Sequence, residues 1–223
     1  MFIDLQSPKP KIPAGNAPAR IRHPVKNSIL LPRPSKSLSQ RFGNVLLRRR
    51  SSSDLAPLNL SQLGDFLWHC CKPRDLQIDP VGRVWQSRPT PSAGGTHSID
   101  LFLLNVPQHQ EAVHIYDPLG HTLNEMEVGG TGLGEQLRAL AMEVKEEPEA
   151  TVIWYVAQVA ILDSYYKNAE SLLWRDAGAL LATHHLVAAA MELRCCAIGA
   201  TGDPFVKEFH AGLRGVGGLF IGT

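Results

Sequence analysis

The chain has 223 residues, of which 44% are hydrophobic and 19% charged, and its formal net charge is +1. That length fits one globular domain with a sizeable core, and the balance excludes a chain left disordered for want of apolar surface. The longest mostly apolar stretches, Ala150 to Leu162 and Ala177 to Met191, are shorter than the roughly 20 residues that span a bilayer, so no transmembrane helix is expected. The N-terminus, with Asp4 and several prolines, lacks the basic end and apolar run of a secretory signal, and a cytoplasmic location is expected.

Charge is unevenly spread. Residues 1–50 hold eleven Lys or Arg against Asp4 alone, a balance of +10; the eleven basic and twenty acidic residues that follow give −9. Such an arm either binds a polyanion such as nucleic acid or lies on an acidic body, its own or a partner's. Few aromatics (Phe2, Phe42) are interleaved with its charges, and single-strand binders need stacking platforms, so nucleic acid is the weaker reading.

In chain order, residues 1–38 carry seven of the sixteen prolines, in stretches such as "SPKPKIP" and "ILLPRPSK". Proline fixes φ and removes a donor, so an extended arm is expected, with the apolar Ile29, Leu30 and Leu31 laid in a groove of the body. The body, residues 39–223, opens with a helix in which Leu63, Phe66, Leu67 and Cys70 share one face and Ser61 is the expected cap. Strands are read at Ser98 to Val106 and Ala112 to Asp117, bounded by Pro107 and the turn "DPLG" and able to pair as a hairpin. The stretch "NEMEV" reads as a poor buried strand, and Gly129 to Gly134 as a flexible loop rather than a dinucleotide fingerprint. An amphipathic surface helix follows over Leu133 to Glu146. Ala150 to Leu162, rich in β-branched and aromatic residues, reads as one long buried strand. Ser171 to Leu193, apolar nearly all round, reads as a helix with protein on every side. A strand at "CCAIG", a helix or loop over Asp203 to His210 and a last strand at "GGLFIGT" close the chain. The order of elements indicates an α+β layer fold.

The cysteines form two adjacent pairs, Cys70 with Cys71 and Cys195 with Cys196. That spacing suits neither a zinc or redox C-x-x-C nor a disulfide framework, so they read as reduced packing residues. His184 and His185, neighbours on one helix, point about 100° apart and do not suit a shared metal.

Three separated segments have the makings of one pocket. In "LLRRRSSSD", Arg48, Arg49 and Arg50 run into Ser51, Ser52 and Ser53; arginine forks match phosphate oxygens and hydroxyls add donors. In "TPSAGGTHSIDLFLL", Gly94 and Gly95 let backbone approach a flat ligand. In "LRCCAIGATGDP", Gly199 frees backbone amides to face a ligand edge. Each alone also suits an ordinary turn.

Together, in this order, they resemble the SagB-type dehydrogenases of the flavin-dependent nitroreductase superfamily. The likeness covers most of the chain: an L-P-x-P arm, the R-R-S motif, the "LSQLGDFLW" helix, "PSAGGTH", "YDPLGHTL", the D-A-G helix "RDAGALLATHHL" and "CCAIGA". It implies a nitroreductase-like mixed sheet flanked by helices with a buried central helix, in a homodimer that binds FMN at the subunit interface. Carried over, Arg49 and Ser51 hold the FMN phosphate with Arg50 beside them. Pro91, Ser92, Ala93 and Gly94 of the other subunit border the ribityl chain and ring. Gly199 and Ala200 match the turn facing flavin N5. Where azoline-oxidising members carry Lys-Tyr, this chain has Ser164 and Tyr165, which makes Tyr165 the candidate proton-transfer residue, with Tyr166 as its competitor and Lys167 as the nearby cation. His97 reads as structural. The chain also departs from the pattern at Ser53, where the family has a basic residue, and at Ala182 and Thr183, where Q-N is common; the family's last basic contact has no counterpart before Thr223.

The implied activity is an FMN-dependent oxidoreductase moving hydride between a substrate carbon and flavin N5. Its substrate is a small molecule or a modified peptide, in which azolines become azoles, and a biosynthetic partner protein is possible. An NAD(P)H-dependent nitroreductase-like reductase is the alternative within that class. A non-catalytic scaffold subunit is the alternative outside it.

Overall fold

The computed structural model describes residues 5–11, 18–35, 37–78, 84–147 and 149–223. The expectations for Phe2, Asp4 and Pro13 fall outside the described residues. The elements are β1 (Lys9–Pro10), β2 (Val25–Leu30), α1 (Phe42–Arg48), α2 (Leu60–Cys71), β3 (Asp75–Ile78), β4 (Val84–Ser87), β5 (Ile99–Leu104), β6 (His114–Asp117), β7 (Thr122–Met126), α3 (Leu133–Val144), β8 (Thr151–Gln158), α4 (Val159–Tyr165), β9 (Tyr166–Lys167), α5 (Glu170–Ala190), β10 (Arg194–Ile198), α6 (Asp203–Phe209) and β11 (Leu213–Gly222).

One seven-stranded sheet runs in the order β10-β11-β8-β5-β6-β7-β2. With helices on both of its faces it makes the α+β layer fold expected; where a mixed sheet was expected, every described ladder in it is antiparallel. Every residue of β8 is buried, because the sheet is covered on both faces. Ile153, Tyr155 and Ala157 enter one core with α2 and α5. The alternate Val152, Trp154 and Val156 enter a second core with α3 and α6.

Four expectations are corrected. The cap of α2 is Asn59, not Ser61: its side chain accepts from the Gln62 N–H, and Gln62 returns the bond to the Asn59 N–H, each at 2.9 Å. The long strand stops at Gln158, and the apolar residues after it form α4. Residues 122–126, including "NEM", do form a strand, with Leu123 and Met126 turned inward and β6 and β2 on either side. The arm is extended but is also a structural part of the sheet, since β2 pairs with β7 along the edge. Prolines 24 and 32 flank that edge strand, where a missing donor is tolerated.

On α5, Leu173, Asp176, Ala177, Leu180, His184 and Val187 face the core, whereas Trp174, Gly178 and Ala182 are exposed in the single chain. All four cysteines are free. His184 Nδ1 meets the Tyr155 hydroxyl at 2.7 Å and His185 Nδ1 meets Cys195 Sγ at 3.3 Å, so each histidine has its own partner. Among the described residues no helix is long and apolar enough to cross a membrane.

Candidate functional site

The arginine–serine segment leaves the end of α1. The Arg49 N–H caps the helix by donating to the Val45 carbonyl at 2.9 Å, and the Ser52 N–H donates to the Cys195 carbonyl, pinning the segment beside the start of β10. Lys145 donates to the Ser52 carbonyl at 2.7 Å, and Glu147 accepts from the Asp54 and Leu55 N–H groups. The Leu55 donor leads in holding the Glu147 carboxyl below its ordinary range, against the effect of burial. Arg49, Arg50 and Ser51 are exposed. Arg48 is paired with Glu192 at 2.7 Å, but Arg49 and Arg50 have no carboxylate partner among the described residues. Arg50 and Ser52 line a groove of about 440 Å³ together with His185, Glu192 and Cys195. Burial first, then the Arg49 charge, lowers the His185 pKa.

Gly199 and Ala200 follow β10 at its other end. Gly199 lies four positions on from Cys195, about 13 Å at strand rise. A Cβ on Gly199 would meet nothing within 4 Å, so the turn borders open space.

The Pro91–Gly95 loop sits elsewhere and is held rigidly. Its Ala93–Gly95 turn places Gly94 at φ 59°, where a side chain is strained. A Cβ on Gly94 would also lie 2.8 Å from the Tyr166 hydroxyl. The clamp is Asp176 on α5: Ser92 Oγ donates to Oδ2 at 2.7 Å, and the Ala93 N–H donates to Oδ1 at 3.0 Å. Ser92 Oγ in turn accepts from the His97 N–H at 3.0 Å. Burial raises the Asp176 pKa and these two donors oppose it. No role was read for Asp176 in the sequence; the signal was there, since an acid on an apolar helix has to find donors. His97 hydrogen-bonds the Gln86 carbonyl at 2.9 Å, and burial pushes its pKa down to about 4.

Tyr165, at the end of α4, lines a cavity of about 780 Å³ that also reaches Pro91, Ser92 and Asp176. Ser164 lines it too, with Oγ donating to the Ile161 carbonyl at 2.6 Å. Lys167 is exposed in β9, paired with Lys9, and does not line the cavity. The single chain thus gathers Pro91, Ser92 and Tyr165 around one cavity and Arg50 around a separate groove; the two share no lining residue.

Comparison with known proteins adds the following. The model of the Nitroreductase family matches residues 56–216. A candidate nitroreductase of Ralstonia eutropha JMP134 superposes with a TM-score of 0.63 at 18% identity, covering 95% of this chain and 98% of that one. A chain of the E. coli microcin synthetase McbBCD complex with truncated pro-MccB17 bound gives a TM-score of 0.59 at 18% identity, covering 79% and 69%. A candidate nitroreductase from Desulfovibrio desulfuricans in complex with FMN gives 0.51 at 14% identity, covering 82% and 86%. At these identities the likeness is one of fold. No curated protein matches the chain.

Proposed function

The chain belongs to the nitroreductase family, and from that premise we propose that it is an FMN-dependent oxidoreductase of the SagB type, active as a homodimer. The observation that carries this reading is the pair of arginines, Arg49 and Arg50, which have no carboxylate partner among the described residues and lie beside the start of β10, with an open glycine turn at that strand's far end. A phosphate-tailed planar cofactor suits that layout: two cations and the Ser51 hydroxyl for the phosphate, and the turn at Gly199 and Ala200 for the ring edge. Bound FMN supplies a hydride-accepting atom, flavin N5.

The chain's own groups divide the remaining work. Arg49, Arg50 and Ser51 hold the phosphate. Pro91, Ser92, Ala93 and Gly94 of a second copy border the cofactor, in a loop kept in shape by Asp176. Tyr165 holds a proton at its hydroxyl on the cavity wall, and Lys167 lies two residues along, outside that wall. Phe42, Leu46 and Leu47, exposed on α1 where it packs on α5, offer apolar surface to the second copy.

For the substrate, we infer an azoline in a modified peptide, oxidised to the azole with oxygen as final acceptor. The likeness to a chain of the microcin synthetase complex, with its bound pro-peptide, supports this substrate class and a biosynthetic partner protein. A second reading, a non-catalytic scaffold subunit, is favoured by Ser53 and by Ser164, whose hydroxyl is spent on the Ile161 carbonyl and supplies no cation.

Titration of the apo protein with FMN tests the proposal. Arg49→Ala is expected to weaken binding by about 1.5 to 3 kcal/mol, the worth of a charge-assisted contact. Unchanged affinity removes Arg49 from the site.

A further inference from the structure

The 780 Å³ cavity holds a feature that the flavin reading does not use. It lies where the sheet opens. β5 and β6 pair only at Phe102 with Ile115 and Leu103 with His114. Ile99–Leu101 and Tyr116–Asp117 then diverge, and both stretches line the cavity. Into this gap comes Arg88, whose Nε donates to Gln86 Oε1 at 2.8 Å.

The two terminal nitrogens of Arg88 have no hydrogen-bond or ion-pair partner among the described residues, and they are not sealed from the cavity. Nearby carboxylates are already engaged. Asp100 is held by Arg20 at 3.2 Å and by Gln158, and Asp176 by the Ser92 hydroxyl and the Ala93 N–H. Arg20 is itself engaged, by Asp100 and by the carbonyls of Thr96 and His97. Burial is the leading influence on the Arg88 guanidinium and acts against its charge. A partly buried guanidinium with Asp100 nearby but no carboxylate on its terminal nitrogens is a natural seat for an anion from outside.

We propose that this cavity binds an organic carboxylate with an apolar body, its carboxyl group seated on the fork of Arg88. The planar fork presents parallel donors matched to one carboxylate. Among the described residues Arg88 is the partly buried arginine of the cavity whose terminal nitrogens have no partner, and a single such fork favours a monoanion over a phosphate dianion. Ile99, Ile115, Ile161 and Leu180 provide apolar wall for the rest of the ligand, and the volume is that of a small-molecule site. The inference needs only the cavity and Arg88, and stands whether or not FMN is bound.

The test is calorimetric titration of the purified full chain with 3-phenylpropionate, 3-phenylpropionamide and inorganic phosphate, for the wild type, Arg88→Gln and Arg88→Lys, with visible absorbance recorded for each. The expected result is that the acid binds at least tenfold more tightly than the amide. Arg88→Gln is expected to abolish that preference and Arg88→Lys to reduce it, with flavin absorbance equal in all three. Equal binding of acid and amide, no binding of the acid, displacement of the acid by phosphate, or full preference in both variants overturns the proposal. If Arg88→Gln fails to fold, Arg88→Lys, which keeps the charge and loses the fork, decides alone. A colourless protein that still prefers the acid upholds this site while counting against the flavin reading.

Discussion

Two loops proposed to touch the same cofactor are built in opposite ways. The Pro91–Gly95 loop is tied by Asp176 to the central helix, with Ser92 and Ala93 both donating to one carboxylate. The Arg49–Ser53 segment is pinned through backbone at Ser52, while Arg49 and Arg50 stay exposed, with no carboxylate partner among the described residues. The first spends its polar groups internally and gains shape; the second keeps its charge available. A wall needs only geometry, whereas an anion cradle needs donors left over.

The largest effect expected from breaking this contrast is at the clamp. Asp176→Ala strands the Ser92 hydroxyl and the Ala93 N–H and is expected to cost about 2 to 4 kcal/mol in urea unfolding. Acidification reports on the same region. The His97 pKa is pushed down to about 4 from 6.5, so the folded state holds the ring neutral. That contribution is complete above pH 6.5 and is lost as pH falls towards about 4, up to about 3 kcal/mol. His97→Asn, which tolerates the φ of 44° at this position, is expected to flatten the slope of urea midpoint against pH. Gly94→Ala, strained in φ and crowded by Tyr166, is expected to cost about 1 to 2 kcal/mol, and Tyr166→Phe to recover part of it. At the other loop, Arg49→Ala is expected to change stability by less than about 0.5 kcal/mol. It is also expected to raise the His185 pKa in an NMR titration, because the Arg49 charge is one of the two causes that lower it.

The legibility of the chain follows the range of the forces involved. The apolar run of β8 announced a strand buried on both faces, but its end was hidden because Val159, Ile161 and Leu162 continue the run into α4, and a short apolar run does not distinguish strand from helix. Both Asn59 and Ser61 are capping residues; Gln62 three places after Asn59 decided between them. β2 was invisible because its partner strand β7 lies almost a hundred residues away, and nothing local in a proline-flanked segment announces a sheet edge. At the site, the R-R-S and P-S-A-G-G segments were legible as motifs. The bond from Ser92 to Asp176, across 84 residues, and the partial burial of Arg88 at the cavity depend on tertiary placement alone.

The visible absorption spectrum of the purified protein, with mass identification of whatever denaturation releases, tests the central claim most directly. The flavin proposal predicts the bands of an oxidised flavin and the release of FMN. A colourless protein that fails to take up added FMN contradicts it and makes Ser53 and Ser164 the marks of a scaffold subunit.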